Sequence, residues 1–362
     1  MALAVILFFY AANSEVVWLY LLAYWIAALV VVSFVYAAWN KGFSLDATLA
    51  GIRRASDFDG EGPAEEVARD EPFELDRLRI KVTIGSTRGT RGPARAYGKL
   101  GVATMSIAAG VVRKSGGHIE KPLLQPSRRG PVEMSDWWLQ SGDPLGLFKR
   151  TQRGRDGEVA LVLPRFTSLR GQPLVRELEA SVNAPRSGHG SEVFGVRPYQ
   201  PGDPLRRIHW RTTARRGELI VREFEPPGVQ NLGIFLDPGP PEQPAADQVA
   251  RIAASEAWDC LRAGGRVTLW APGCEPSRPD EERNFLALLQ WLARYPQRSA
   301  DSGPPPLVGA AVAVTTTSDR RLLDAIEDVR THGGPVRAWV VGDAALTGDI
   351  DVERAGLGWP PR

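Results

Sequence analysis

The chain has 362 residues, room for two or three domains and a sizeable core. A formal net charge of +2 gives no overall case for nucleic acid or an acidic ligand. Two cysteines and four scattered histidines exclude a disulfide framework and a zinc spacing, and fit a reducing compartment.

Residues 2–12 are apolar but fall short of the roughly 17 that a membrane span needs. Asn13-Ser-Glu15 then reads as a polar turn. Residues 16–39 are 24 consecutive uncharged residues, with Trp18, Tyr20, Tyr36 and Trp39 near the two ends as interfacial aromatics. No basic residue precedes this run and no small-x-small site follows it, so a span is favoured over a signal peptide. Lys41, Arg53 and Arg54 follow it, and the positive-inside rule then places the soluble bulk in the cytoplasm. The anchor is assigned to 1–40. Residues 41–71, acidic and Gly/Pro-containing from Asp57 onward, read as a linker.

From 72 to 166, short extended runs alternate with Gly, Pro and Ser, which predicts a β-sandwich-like domain. Candidate strands are 78–84, 102–112 and 158–163. Residues 85–92 contain three glycines and two arginines but lack the Lys-Ser/Thr ending of a phosphate loop, so they read as a hairpin loop. Trp137 and Trp138, with Leu145, Leu147 and Phe148, read as packing groups. No basic stripe interleaves them, so nucleic-acid binding is not expected.

Residues 167–228 form an arginine-rich segment: Arg186, Arg197, Arg206, Arg207, Arg211, Arg215, Arg216 and Arg222 fall within about forty residues, roughly twice the chain's own arginine density. Pro201-Gly202 marks a turn, Asp203 can cap a short helix that Gly217 ends, and 219–224 alternate as a strand. The arginines either pair with Glu192, Asp203, Glu218, Glu223 and Glu225 or present a face to an anion or partner. Residues 229–345 alternate β-α-β-α-β-α-β, with strands at 232–236, 266–270, 307–314 and 336–341 and helices at 246–263, 281–294 and 319–332. That pattern predicts a parallel sheet. Its carboxyl ends, where such sheets bind ligands, are Asp237, Ala271-Pro272, Thr315–Asp319 and Gly342-Asp343. Residues 346–362 read as a tail. The fold class is multidomain α+β.

Tyr199-x-Pro-Gly-Asp203, Arg206-Arg-Ile-x-Trp210, Ala214-Arg215 and Glu218-Leu-Ile-Val-Arg-x-Phe224 together resemble the hallmark of the bacterial family catalogued as domain of unknown function fifty-eight. Arg128-Arg-Gly130 and Gly142-Asp-Pro-Leu-Gly-Leu-Phe148 resemble that family's Asp-Pro-Phe-Gly-Leu-Phe element, with Leu145 where Phe is usual. The resemblance implies a membrane-anchored protein with a two-helix hairpin, here with a shortened first helix. It also implies a von Willebrand factor A-like domain and a MoxR-type AAA+ ATPase as partner. The candidate partner-binding or structural residues of this segment are Arg197, Tyr199, Gly202, Asp203, Arg206, Arg207, Trp210, Arg211, Arg215 and Glu218.

In von Willebrand factor A-like folds, Asp-x-Ser-x-Ser after the first strand holds magnesium. Here Asp237 is kept, while Gly239 and Pro241 replace both serines. Magnesium wants about six oxygens, so the site is degenerate and neither an occupied site nor any other cofactor is expected, though Thr315, Thr317 or Asp319 could add donors. Two functional classes follow. One is a non-enzymatic membrane-tethered scaffold or adaptor for the ATPase, in assembly or chaperone work. The other is a hydrolase using Asp203, His209, Glu218 or Asp237 as acid/base or metal groups; the sequence offers no nucleophile elbow or Cys/His signature for it.

Overall fold

The computed structural model describes residues 2–14, 17–55, 68, 70–114, 117–169, 193–198, 213–215, 217, 219–224, 231–299, 303–342 and 350–360. They form two compact units, Met1–Leu163 and Pro164–Arg362. The fold is mixed α+β, as the sequence pattern predicts.

The first unit opens with two apolar helices, α1 (Ala2–Ser14) and α2 (Val17–Trp39). They pack on each other through edge contacts of Phe8 with Tyr20 and Tyr24. Only α2 is long and apolar enough to cross a membrane among the described residues. Its 23 residues extend about 34 Å, against a hydrocarbon core of about 30 Å.

Behind α2 stands a β-sandwich. One antiparallel sheet holds β1 (Phe43–Arg53) and β2 (Arg77–Ser86), with β5 (His118–Glu120) and β6 (Leu123–Leu124) on the far side of β2. The other runs β4 (Ala103–Ala109), β3 (Ala94–Leu100), β7 (Gly130–Gly142), β8 (Lys149–Arg153), with β9 (Gly157–Val162) also on β7. The alternation of Leu78, Ile80, Val82 and Ile84 sends all four into the shared core. They meet Ala96, Leu100, Val132, Met134, Trp137 and Leu139 from the second sheet. Trp137 comes into phase because β7 carries a bulge opposite Tyr97–Lys99, where Asp136 takes a φ of 54°. The Trp137 indole then donates to the Lys99 carbonyl, while Trp138 points outward.

Two expectations change here. The segment assigned to a linker begins with an 11-residue strand: Phe43, Leu45, Ala47 and Leu49 alternate, and β1 pairs with β2 almost along its full length. The acidic composition that marks a linker begins only at Asp57. Residues 85–92 are not a hairpin loop either, because β2 and β3 lie in different sheets; they cross between the two layers.

Within the second unit, β10 (Val193–Pro198) and β11 (Ile220–Phe224) form an antiparallel pair that brackets the arginine-rich motif, with Arg197 opposite Val221. Residues 213–215 are helical. Gly217 follows at φ 73° and donates to the Thr213 carbonyl, the left-handed helix ending its position predicts.

The rest is a five-stranded parallel sheet: β12 (Asn231–Leu236), β13 (Arg266–Trp270), β14 (Ala310–Thr315), β15 (Val336–Val341) and β16 (Asp351–Ala355). Its order is β13-β12-β14-β15-β16, and every neighbouring pair is parallel. The tail assigned to 346–362 therefore contains an edge strand. Its Asp-Val-Glu-Arg-Ala is too polar to announce one, and β15 supplies the register. Helices α3 (Gln243–Arg262), α4 (Phe285–Arg294) and α5 (Arg320–Thr331) connect the strands. Helix α3 enters on Pro244, α4 on the Asn284 side chain and α5 on the Asp319 side chain. On one face Phe235, Trp270, Ala311, Ala313 and Ala338 pack with Leu322, Ile326 and Val329 of α5. On the other, Glu256 of α3 is buried against the Arg337 guanidinium and the Trp339 indole of β15.

Candidate functional site

Sheets of this order change direction between their first and third strands, and the crevice beyond those carboxyl ends is where their ligands sit. In this chain the two strands are β12 and β14. Strand β12 is apolar to Leu236 and then meets Asp237, whose amide still donates to Val314 as if the ladder continued. Strand β14 ends in Thr315, followed by Thr316 and Thr317.

These four residues make one closed cluster. The Oδ2 of Asp237 accepts from the Thr316 amide at 2.9 Å and from the hydroxyls of Thr316 and Thr317 at 2.6 and 3.0 Å, and the Thr315 hydroxyl lies 3.2 Å from it. Its Oδ1 accepts from the Gly239 amide at 2.9 Å. The Thr315 hydroxyl has one hydrogen, and its shorter contact is with the Thr317 carbonyl at 2.6 Å, so four donors address the carboxylate, three of them on Oδ2. Burial alone would push the Asp237 carboxyl up. The hydrogen bonds from Thr316, Gly239 and Thr317 outweigh that and hold it below the ordinary aspartate range. The expected extra donor, Asp319, is turned away: its side chain caps α5 through the Leu322 amide.

Beside the cluster lies a cleft of about 430 Å³ whose lining includes Cys274, Arg278, Trp291, Arg294, Tyr295 and Arg298. Tyr295 belongs to both, since its hydroxyl donates to the Asp237 carbonyl while its ring stacks on Trp291 at 5.9 Å. Arg298 reaches over the loop after β12, where a Cβ on Gly239 would sit 3.4 Å from its Nη2. The group of nucleophilic type here is Cys274. Burial pushes its thiol up more than the Arg298 charge lowers it, so the thiolate form is disfavoured.

Of the motif residues, Arg197 is placed in β10 and Arg215 is exposed on the turn at 213–215. Tyr199, Gly202, Asp203, Arg206, Arg207, His209, Trp210, Arg211 and Glu218 lie outside the described residues. Sequence reasoning found Asp237, Thr315 and Thr317. It missed Thr316, Tyr295, Trp291 and Arg298. The run of three threonines was a usable signal for the first. The others come from a loop and helix whose position beside β12 only the fold discloses.

A family model described as "Protein of unknown function DUF58" matches residues 195–321. That interval, about a third of the chain, runs from β10 to the start of α5. It therefore contains the motif hairpin, Asp237, the three threonines and the cleft. The uncharacterized protein YeaD of Bacillus subtilis (strain 168) is 29% identical over 171 residues, an alignment covering 46% of this chain and 42% of that relative. The chain thus spans less than half the length of the curated relative it matches.

The isosteric change Asp237→Asn should lower the unfolding free energy of the full-length protein in detergent by about 2–3 kcal/mol at neutral pH, since bonds to a charged acceptor are lost. Thr316→Val should cost about 1 kcal/mol. The folded-state pKa of Asp237 is depressed, so its contribution is complete above the unfolded value of about 4 and fades as pH falls below it. The gap between wild type and Asp237→Asn should therefore shrink in acid. A variant as stable as wild type at neutral pH would contradict the bracing role.

Proposed function

We propose that this protein is a membrane-tethered, non-enzymatic scaffold or adaptor, anchored through α2, with its α/β unit as the partner-docking part. The observation that carries this reading is the engagement of Asp237 by its own neighbours. At the position where a sheet of this order presents its chemistry, the buried carboxylate takes the Gly239 amide on Oδ1 and the Thr316 and Thr317 donors on Oδ2, tying two strand ends together. Those bonds favour its charged form and make it a poor proton acceptor.

In this reading the α/β unit is von Willebrand factor A-like. The parallel order supports it, and so does the return of residues 277–282 along the outer edge of β13, where Ser277 bonds with Leu269 and Val267 donates to Glu282. The residues present do not fit the magnesium site of that fold. Gly239 and Pro241 carry no side-chain oxygen, the Thr316 and Thr317 hydroxyls donate to Asp237, and the Thr315 hydroxyl donates to the Thr317 carbonyl. For the hydrolase alternative, the same bonds make Asp237 a weak base.

The partner we favour is a MoxR-type AAA+ ATPase, which the motif resemblance implies, engaged through the arginine-rich segment and the cleft beside Asp237. Full-length protein in detergent should retain such an ATPase on an affinity column. Arg298→Glu, and separately Arg206→Ala/Arg207→Ala, should weaken retention about tenfold or more while leaving the melting temperature unchanged. Retention unaffected by either change would sink the assignment of these surfaces.

The soluble units are placed on the cytoplasmic side because Lys41, Arg53 and Arg54 follow the span. Arg54 also has a structural task, pairing with buried Asp76 at 2.7 Å. A C-terminal fusion to a reporter that works only in the cytoplasm should be active. Activity only in a reporter that requires export would reverse the orientation.

A further inference from the structure

The loop 143–148 was singled out in the sequence, and neither the sandwich core nor the docking surfaces account for it. It joins β7 to β8 and lies along α2. Its Asp143 side chain accepts from the Ser33 hydroxyl, and Phe148 meets the Phe34 ring edge-on at 5.5 Å. A groove of about 340 Å³ runs up the helix from the loop, lined by Trp25, Leu29, Val32, Tyr36, Pro144 and Leu145. Ser33 lies six residues before Trp39, so the loop stands about 9 Å back along the axis, inside the aromatic end of α2. If α2 spans the bilayer, that is acyl-chain depth rather than bulk water. This step rests on the anchoring proposed above.

Irregular backbone survives at that depth only when its polar groups are satisfied by protein. Here the amides of Asp143, Leu145, Gly146 and Phe148 find partners within the loop. Asp143 donates to the Phe148 carbonyl, and Gly146 donates to the Asp143 carbonyl. The Asp143 carboxylate collects the amides of Leu145 at 3.0 Å, Phe148 at 2.7 Å and Leu147. Pro144 has no amide hydrogen to satisfy. What the loop turns outward is apolar: Leu145 is 57% and Leu147 52% exposed. At its base the character reverses. Lys149 and Arg150 are exposed, and Arg91 stacks over Trp39 at 4.8 Å. An apolar tip above a cationic base matches acyl chains above anionic headgroups.

We propose that this loop is a second membrane contact: Leu145 and Leu147 insert among lipid acyl chains beside α2, an acyl chain fills the groove, and Lys149 and Arg150 meet headgroup phosphates. The occupant is lipid because the apolar surface of the loop is continuous with that of α2.

The test uses the full chain in nanodiscs of anionic phospholipid. A fluorescent amino acid replaces Leu145, Leu147, Trp25 or Val102 in turn, so the native cysteines stay. Quenching is read with lipids spin-labelled on the acyl chain and, separately, with aqueous iodide. At positions 145 and 147 acyl quenching should dominate, as at Trp25 in the exposed middle of α2. At the fully exposed Val102 iodide should dominate. Iodide quenching at 145 and 147 with acyl quenching at 25 overturns the loop assignment and leaves the anchor standing. Iodide quenching at 25 as well removes the anchor and the loop together. Shielding of 145 and 147 from both quenchers overturns lipid in favour of a second copy of the chain.

Discussion

The first unit depends on how α2 is joined to its sandwich, and one buried side chain stands at the centre of that joint. Three residues separate the helix from β1, and the first of them is Asn40. Its amide nitrogen donates to the carbonyls of Pro93 and Gly142, its amide oxygen accepts from Gly92, and its own carbonyl accepts from Ser141. Tyr36, one turn back, donates to the Gly92 carbonyl. Two loops from one sheet are thereby fastened to the last turn of the helix. Gly92 is itself packed on the sandwich: a Cβ there would fall 1.9 Å from the Gly110 carbonyl oxygen. Losing the asparagine would strand several buried polar groups at once, each costing about 1–3 kcal/mol. The sandwich therefore continues α2 as one body. Whatever depth the helix takes in a bilayer fixes the depth of loop 143–148.

The same device recurs through the chain, always on a carboxylate or amide that sequence alone would offer as chemistry. Asp76 gathers Arg54 and the amides of Ala55 and Phe73. Asp143 gathers its own loop. Asp259 of α3 holds the Ser168 hydroxyl and the Leu169 amide. Asp237 gathers four donors from two strand ends. In each case a buried charge is made tolerable by hydrogen bonds rather than left available for proton transfer. This shared pattern is what supports the proposed recognition role of the α/β unit.

Much of this was legible in the residues, and the exceptions have causes. Hydrophobic period placed the four central strands and three helices of the α/β unit to within a few residues, because Leu232, Val267, Val312 and their neighbours form short apolar runs bounded by glycine and aspartate. Strand β16 was illegible because Asp351, Glu353 and Arg354 carry no apolar signal, and an edge strand borrows its register from its neighbour. Strand β1 could have been read from its own alternation. Asp237 and its threonines were visible as strand-end residues. That they turn on one another, rather than outward, is set by the order β13-β12-β14, which composition does not encode. Tyr295, Trp291 and Arg298 join the site through a connection more than fifty residues from Asp237. The role of Leu145 and Leu147 is a matter of which surface covers them, and two leucines in a Gly/Pro loop read equally well as core.

The claim that most of this rests on is that helix and sandwich form one rigid body at Asn40. It is tested most directly by the distance distribution between spin labels at Leu22 in α2 and Val102 at the far end of β3, measured by pulsed electron paramagnetic resonance on the full chain in lipid bilayers. The account predicts a single narrow distribution that broadens in Asn40→Ala. A broad or multimodal distribution in the unaltered protein would contradict it.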